Sequence, residues 1–240
     1  MSGLVLSLFP GIGLLDMAFE EEGFCVVRGP DVLWGGDVHR FHPPARRFDG
    51  VIGGPPCQAF SGLANLSKKE RPNLIPEFER CVSEARPSWF VMENVRAAPV
   101  PAVVGYKVQE QLVNNRALGD GVGQEQNRVR RISFGTQGGV RLHLRGAALF
   151  SPRWSAAVTN AHGGARKTHF NTHTGGKIQR YTVEEALRLQ GLPADFYDGR
   201  PFRKDACRAM VANGVPLPMG RAIARSVKAA LAAHSAEASA

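Results

Sequence analysis

The chain has 240 residues, 43% of them hydrophobic, and a formal net charge of +9 at pH 7. That length suits one domain with a sizeable core, or one domain carrying a small insertion. No run of about 18 apolar residues is present to span a membrane as a helix, and the four scattered cysteines, with no C-x-x-C pair, argue against a zinc site and a disulfide framework.

Leu4 to Phe9 reads as a first strand, too short and without the basic lead of a secretory signal. Pro10 to Gly13 makes a tight turn, Leu14 to Glu22 an amphipathic helix, and Phe24 to Val27 a second strand after Gly23. This is a βαβ start, the mark of a doubly wound α/β sheet. Short apolar runs at Gly50–Ile52, Trp89–Met92 and Ile132–Phe134 are expected as parallel strands buried on both faces. A helix over Ile75 to Glu84 precedes Trp89. From about Gly138 to Lys177 the chain is rich in glycine, histidine and arginine and has little periodicity, as expected of an insertion with long loops. Regular structure returns at Thr182, an N-cap with Glu185 completing a capping box. A last helix runs from about Pro218 to Ala233, with a frayed Ala/Ser-rich end.

The most informative segment is Gly53-Gly54-Pro55-Pro56-Cys57-Gln58-Ala59-Phe60-Ser61. Two prolines fix the backbone directly after a strand and present Cys57 at a carboxyl end, where open α/β sheets place their chemistry. A thiol mounted this stiffly is a candidate nucleophile; a buried structural cysteine is the plainer alternative. In a reducing cytoplasm it would stay a free thiol. The turn Phe9-Pro10-Gly11-Ile12-Gly13 departs from a dinucleotide fingerprint, because Asp16 stands where the third glycine belongs. It fits a backbone that approaches an amino-acid-like ligand. Asp31 and Asp37 follow the second strand and suit ribose hydroxyls and an adenine amino group, although solvated turn carboxylates look the same. Glu93-Asn94-Val95 ends the Trp89 strand, placing a carboxyl group where it could act as an acid. Gln126, Arg128 and Arg130 alternate along an extended segment and point to one side. Arginine outnumbers lysine, which suits a polyanion, yet charge alone separates neither DNA from RNA nor either from a generally basic surface.

In order, these pieces resemble the DNA (cytosine-5) methyltransferase family over most of the chain. Leu8-Phe9-Pro10-Gly11-Ile12-Gly13-Leu14 is similar to its S-adenosylmethionine loop, and the Cys57 segment to its nucleophile loop. Glu93-Asn94-Val95, Gln126-x-Arg128-x-Arg130, Arg188-Leu189-Gln190-Gly191 and Asn213-Gly214-Val215-Pro216 resemble four further motifs. The resemblance implies a Rossmann-like S-adenosylmethionine-dependent methyltransferase sheet (1–137), a small inserted target-recognition region (138–205) and a C-terminal return (206–240).

It also implies a mechanism: the cytosine is flipped out of double-stranded DNA, Cys57 attacks C6, and C5 is methylated. Glu93 would share the proton at N3, with Gln126, Arg128 and Arg130 completing the catalytic set. Leu8, Phe9, Gly11, Ile12, Gly13, Asp31, Asp37, Pro55, Asn213 and Val215 would hold S-adenosyl-L-methionine. Ser61, Lys68, Arg71, Arg141, Arg145, Arg166 and Lys167 are the candidate DNA contacts, and residues 62–73 a loop closing over DNA. No metal and no membrane are expected; a monomer in a bacterial or phage-infected cytoplasm is. Two departures stand out. Glu125 replaces the proline usual before Gln126, and the recognition region is short, as in small phage and prophage enzymes. A companion restriction endonuclease and the bases read are left open. An RNA (tRNA) cytosine-5 methyltransferase shares the same active-site residues and is the nearest rival. A non-catalytic DNA-binding relative and a nicotinamide-dependent oxidoreductase are the others.

Overall fold

A computed structural model of the chain describes residues 3–56, 60, 72–119, 124–159, 181–199 and 203–238, apart from the side chains of Lys204, Asp205, Arg208 and Ala238. Its centre is a six-stranded mixed sheet. In chain order the strands are β1 (Leu4–Leu8), β2 (Cys25–Arg28), β3 (Gly50–Gly53), β4 (Trp89–Asn94), β5 (Lys107–Asn114) and, after the two-residue β6 (Gln126–Asn127), β7 (Val129–Thr136). They lie in the order β2-β1-β3-β4-β7-β5, and β6 pairs separately with β8 (Ser155–Ala156). β1, β2, β3 and β4 are mutually parallel, joined by the helices α1 (Leu14–Glu21) and α2 (Ile75–Ala85).

The Ile132–Phe134 run corrects the sequence expectation, because β7 is antiparallel to both β4 and β5. It is an inner strand between β4 and β5, with Ile132, Ser133 and Phe134 all buried and Ile132 and Phe134 packed in the α1/α5 layer. An apolar run of that kind looks the same whichever way the chain crosses the sheet.

Strand alternation sorts the core into two layers. Val5, Ile52, Trp89, Val91, Ile132 and Phe134 face Leu15 and Phe19 of α1 and Met219, Ile223 and Val227 of α5 (Leu217–Ala238). Leu6, Leu8, Val51, Phe90 and Met92 face the α2 side chains Phe78, Cys81 and Val82. Each such burial contributes about 1.5–3 kcal/mol. Trp89 shows how tight the fit is: its ring lies over Gly50 of the neighbouring strand, where a Cβ would stand 2.1 Å from the ring. A third cluster joins Leu14 and Ala18 to α3 (Val183–Leu189) and α4 (Lys204–Asn213). α3 opens on the expected capping box, Thr182 with Glu185. α5 continues past Ala233 to Ala238, since its alanines are strong helix formers. The segment after β7 turns back along β5: Gln109 and Gln111 both donate to the Leu142 carbonyl, and the Ala147 amide donates to Ala117. It thereby covers the polar edge strand.

Candidate active site

A cavity of about 520 Å³ opens at the carboxyl ends of β1, β3 and β4. The chain leaves β1 in opposite directions to reach β2 and β3, so this is a topological switch point.

One side of the cavity is the turn after β1. Phe9, Gly11 and Gly13 all have left-handed backbone, with φ of 56, 56 and 81°. For Phe9 that conformation costs energy and persists only where surroundings enforce it. The enforcing contacts are visible. The Asp31 carboxylate accepts from the amides of Gly11 and Leu33, both at 2.8 Å, and the Trp34 indole donates to the Gly11 carbonyl at 2.8 Å. Leu8, Phe9, Gly11, Ile12 and Asp31 line the cavity, joined by Val32 and Leu33, which the sequence did not single out. Gly13 and Asp37 are not among the lining residues. Asp37 instead caps the short turn Val38–Arg40 by accepting from the His39 amide at 3.0 Å.

Beneath the turn lies a second group that sequence reasoning missed. Asp16 is fully buried; it accepts from the Ser7 hydroxyl at 2.5 Å, and Arg28 Nε lies 2.9 Å from its other oxygen. Burial pushes its carboxyl above the usual range, with Ser7 and Arg28 partly opposing. The available signal was an acid on the otherwise apolar face of Leu14-Leu15-Asp16-Met17-Ala18-Phe19.

The other side belongs to β3 and β4. Glu93 is buried at the end of β4 and pairs with Arg130 Nε at 2.9 Å. Asn94 donates to the Pro55 carbonyl at 3.1 Å and accepts from the Val95 amide at 2.8 Å. That bond ties the Gly53–Pro56 loop to β4. Pro55, Pro56, Glu93 and Arg130 all line the cavity. Cys57, the residue this loop leads to, lies outside the described residues.

Arg128 and Arg130 both line the cavity, and Gln126 and Arg128 both bond Val158, but the three side chains serve different partners. Arg130 alone reaches Glu93. Gln126 is buried and donates to the Leu189 carbonyl at 2.6 Å and to Gln190 at 3.0 Å. The Arg128 guanidinium donates to the carbonyls of Val158, Ala212 and Gly214 at 2.7, 2.9 and 3.1 Å. Gln190, a residue the sequence offered only as part of a helix motif, donates to Val211 and Gly214. These three side chains knit α3, α4 and the 158 segment together. They hold Asn213, Gly214 and Val215 as the far wall of the cavity.

Glu125 pairs with Arg188 at 2.6 Å and accepts from Ser155; the Arg188 hydrogen bond, chiefly, holds its carboxyl below the usual range. Arg141 and Arg145 are exposed on the segment that runs along β5. Ser61, Lys68, Arg71, Arg166, Lys167 and the loop expected at 62–73 fall, except for its last two residues, outside the described residues.

Residues 36–99, which include the Gly53–Pro56 loop and Glu93-Asn94, match the model of the C-5 cytosine-specific DNA methylase family. The Type II methyltransferase M.FnuDI of Fusobacterium nucleatum is 29% identical over 163 residues, 54% of this chain and 46% of that protein. Over residues 36–99, about a quarter of its length, the chain is similar to the C-5 cytosine-specific DNA methylase family. It spans just under half the length of that curated relative. Across 96% of the chain the fold matches all of a prophage-encoded DNA modification methyltransferase of E. coli, with a TM-score of 0.65 and 18% identity. It also matches all of a Spodoptera frugiperda DNMT2 mutant, again over 96% of the chain, with a TM-score of 0.63 and 14% identity. Both share the mixed α/β architecture with its central sheet. Against the family pattern, the Glu125 departure is explained locally. The carboxylate exchanges the stiffness of a proline for an ion pair to Arg188, at the same junction between β6 and α3.

Proposed function

We propose that the chain transfers a methyl group from S-adenosylmethionine to C5 of cytosine in double-stranded DNA, through a covalent bond between Cys57 and C6. The observation that carries this reading is the cavity itself. Its lining brings together the Glu93–Arg130 pair, the Phe9–Ile12 turn, and Pro55 and Pro56, which lead to Cys57 in the sequence.

The residues present fit such a cofactor. The cavity volume lies in the range of small-molecule sites. Each Asp31 oxygen keeps a further lone pair for a hydroxyl donor, and Phe9, Val32 and Leu33 offer apolar contact for a planar base. Leu8, Gly11, Ile12, Pro55, Asn213 and Val215 would complete the contact. When bound, S-adenosylmethionine supplies an electrophilic methyl group.

The chain's own groups do the rest. The Cys57 thiolate forms a bond to C6 of the extruded base, and the electron pair of the 5,6 double bond moves toward C5. Glu93 holds the proton at N3 that draws those electrons, and Arg130 fixes the Glu93 carboxyl. Once C5 carries the methyl group it gives up its proton, the double bond re-forms, and Cys57 leaves. Arg128, itself part of the cavity lining, and Gln126 act as positioning residues for the far wall. A free thiol near its ordinary pKa of ~8.5 is mostly protonated at neutral pH, and positive charge favours the reactive form, a role this reading gives to Arg130.

The test is product analysis: the native chain, labelled S-adenosylmethionine and duplex DNA should yield 5-methylcytosine, and Cys57→Ala should yield none while keeping its fold. Undiminished methylation by Cys57→Ala would remove the mechanism.

A further inference from the structure

The cavity uses the carboxyl edge of the sheet; the amino edge carries a different kind of surface. Among the described residues, three besides glycine have left-handed backbone: Phe9 at the cavity, and Arg46 and Arg86, with φ of 57 and 50°. The two arginines are neighbours, because the Arg46 amide donates to the Ala85 carbonyl at 2.7 Å. Arg86 closes α2, where glycine would take the same conformation without strain. A side chain kept where the backbone disfavours it points to a use for that side chain.

Backbone contacts extend the pair into a row. Arg46 and Arg47 shortly precede β3, and Arg86 shortly precedes β4. The Ser88 amide donates to the Asp49 carbonyl at 3.0 Å, so these two lead-in segments run side by side. The Tyr106 hydroxyl donates to the Pro87 carbonyl at 2.5 Å, which brings Lys107, the first residue of β5, to the same edge. All four basic side chains are exposed. Among the described residues, none of them has a carboxylate within ion-pair distance. The acids close by in the chain are engaged elsewhere: Asp49 accepts from the Leu4 amide at 2.7 Å, and Glu84 pairs with Arg80 and His42. The row and the cavity lie a strand length apart, about 10–17 Å along β3 and β4, and face opposite ways.

We propose that this row is a second phosphate-contacting surface, which holds a further segment of double-stranded DNA while the cavity engages another. Arginine forks and an ammonium group suit a phosphate backbone and read no sequence. The row carries no exposed aromatic side chain to anchor a protein partner; Val104 is the one large apolar side chain exposed close to it in the chain. A second copy of a chain with net charge +9 is opposed by the same charge. A duplex seated at the cavity mouth leaves this edge open, so the row adds a separate segment. The inference rests on the DNA substrate proposed above and gives the chain a second hold on it.

The experiment loads the chain on an immobilised cytosine-containing duplex, adds a second, fluorescent duplex, and measures capture over a salt series. Sedimentation counts duplexes per chain, and the native chain should carry two. Arg46→Gly/Arg86→Gly should keep its fold, since glycine takes positive φ freely, and should keep its hold on the first duplex. Its affinity for the second should fall about tenfold or more, and the log–log salt slope of that step should become shallower by about 2. Arg46→Lys/Arg86→Lys keeps both the charge and the backbone strain, and should retain capture. Native capture by the glycine variant, loss of capture by the lysine variant, or one duplex per native chain overturns the row and leaves the substrate reading intact. Capture of an RNA duplex in preference to DNA overturns the assignment to DNA. A native chain that binds no duplex ends both.

Discussion

Replacing Asn94 by alanine isolates the contact that ties the Gly53–Pro56 loop to β4. The side chain is 2% exposed and serves two backbone groups, donating to the Pro55 carbonyl and accepting from the Val95 amide. Each intramolecular hydrogen bond is worth about 1 kcal/mol net, and a buried group left without its partner costs about 1–3 kcal/mol. Loss of both partners should therefore destabilise the fold by about 2–3 kcal/mol. For a chain of this size that lowers the melting temperature by roughly 4–12 °C. The larger effect should be on rate. Pro55 stands two residues before Cys57, and a nucleophile misplaced by about 1 Å loses on the order of 100-fold. Scanning calorimetry and single-turnover methyl transfer measure the two effects separately. Asn94→Asp keeps the acceptor for Val95 but turns a second acceptor toward the Pro55 carbonyl, so it should lose rate even where stability partly recovers. An Asn94→Ala variant with native melting temperature and native single-turnover rate would refute the reasoning.

Three further outcomes follow from the geometry. Arg128→Met removes the side-chain donor from the Val158 and Ala212 carbonyls, while Gly214 keeps Gln190, so it should cost about 2 kcal/mol or more in denaturant unfolding and weaken S-adenosylhomocysteine binding in a calorimetric titration. Gly50→Ala drives a methyl group into the Trp89 ring and should destabilise by about 1–3 kcal/mol, with Trp89 emission reporting the disturbance. Glu125 has a folded pKa below its unfolded value of about 4.5. Its pairing with Arg188 therefore contributes stability above that unfolded value and loses it as pH falls through the folded one. Arg188 is half-exposed, so screening holds the contribution to about 1 kcal/mol or less. Unfolding midpoints measured from neutral pH down to pH about 3 should converge for the native chain and Glu125→Gln at the acid end.

Much of the fold was legible because burial writes itself into period and punctuation. The β1–α1–β2 opening, the strands at Gly50 and Trp89, and the Thr182 capping box all appear at or within a residue or so of their expected places. β5 was not legible. Lys107-Val108-Gln109-Glu110-Gln111-Leu112 mixes polar and apolar residues because it is an outer strand whose glutamines bond the covering segment. The direction of β7 was hidden for a different reason: alternation reports which faces are buried, never which way the chain runs. In the site, the motif order located the cavity lining on both strands. What it could not give was the division of labour among Gln126, Arg128 and Arg130. Spacing says where side chains point along one segment, whereas their partners, Gln190, Val158, Ala212 and Gly214, come from residues 30 to 86 positions away. Asp16 showed in the sequence only as an acid on an apolar helix face; its burial against Ser7 and Arg28 is visible only in the structure.

The central claim is that Cys57 becomes bonded to cytosine C6, and one measurement bears on it directly. The native chain, S-adenosylmethionine and a duplex carrying 5-fluorocytosine are combined and then denatured, and the products are resolved by gel and intact mass. Fluorine at C5 blocks the final elimination, so a one-to-one protein–DNA adduct should persist with the native chain and be absent with Cys57→Ala. An enzyme that methylates ordinary cytosine yet leaves no adduct on the fluorinated duplex, or an adduct that survives loss of Cys57, would contradict the account.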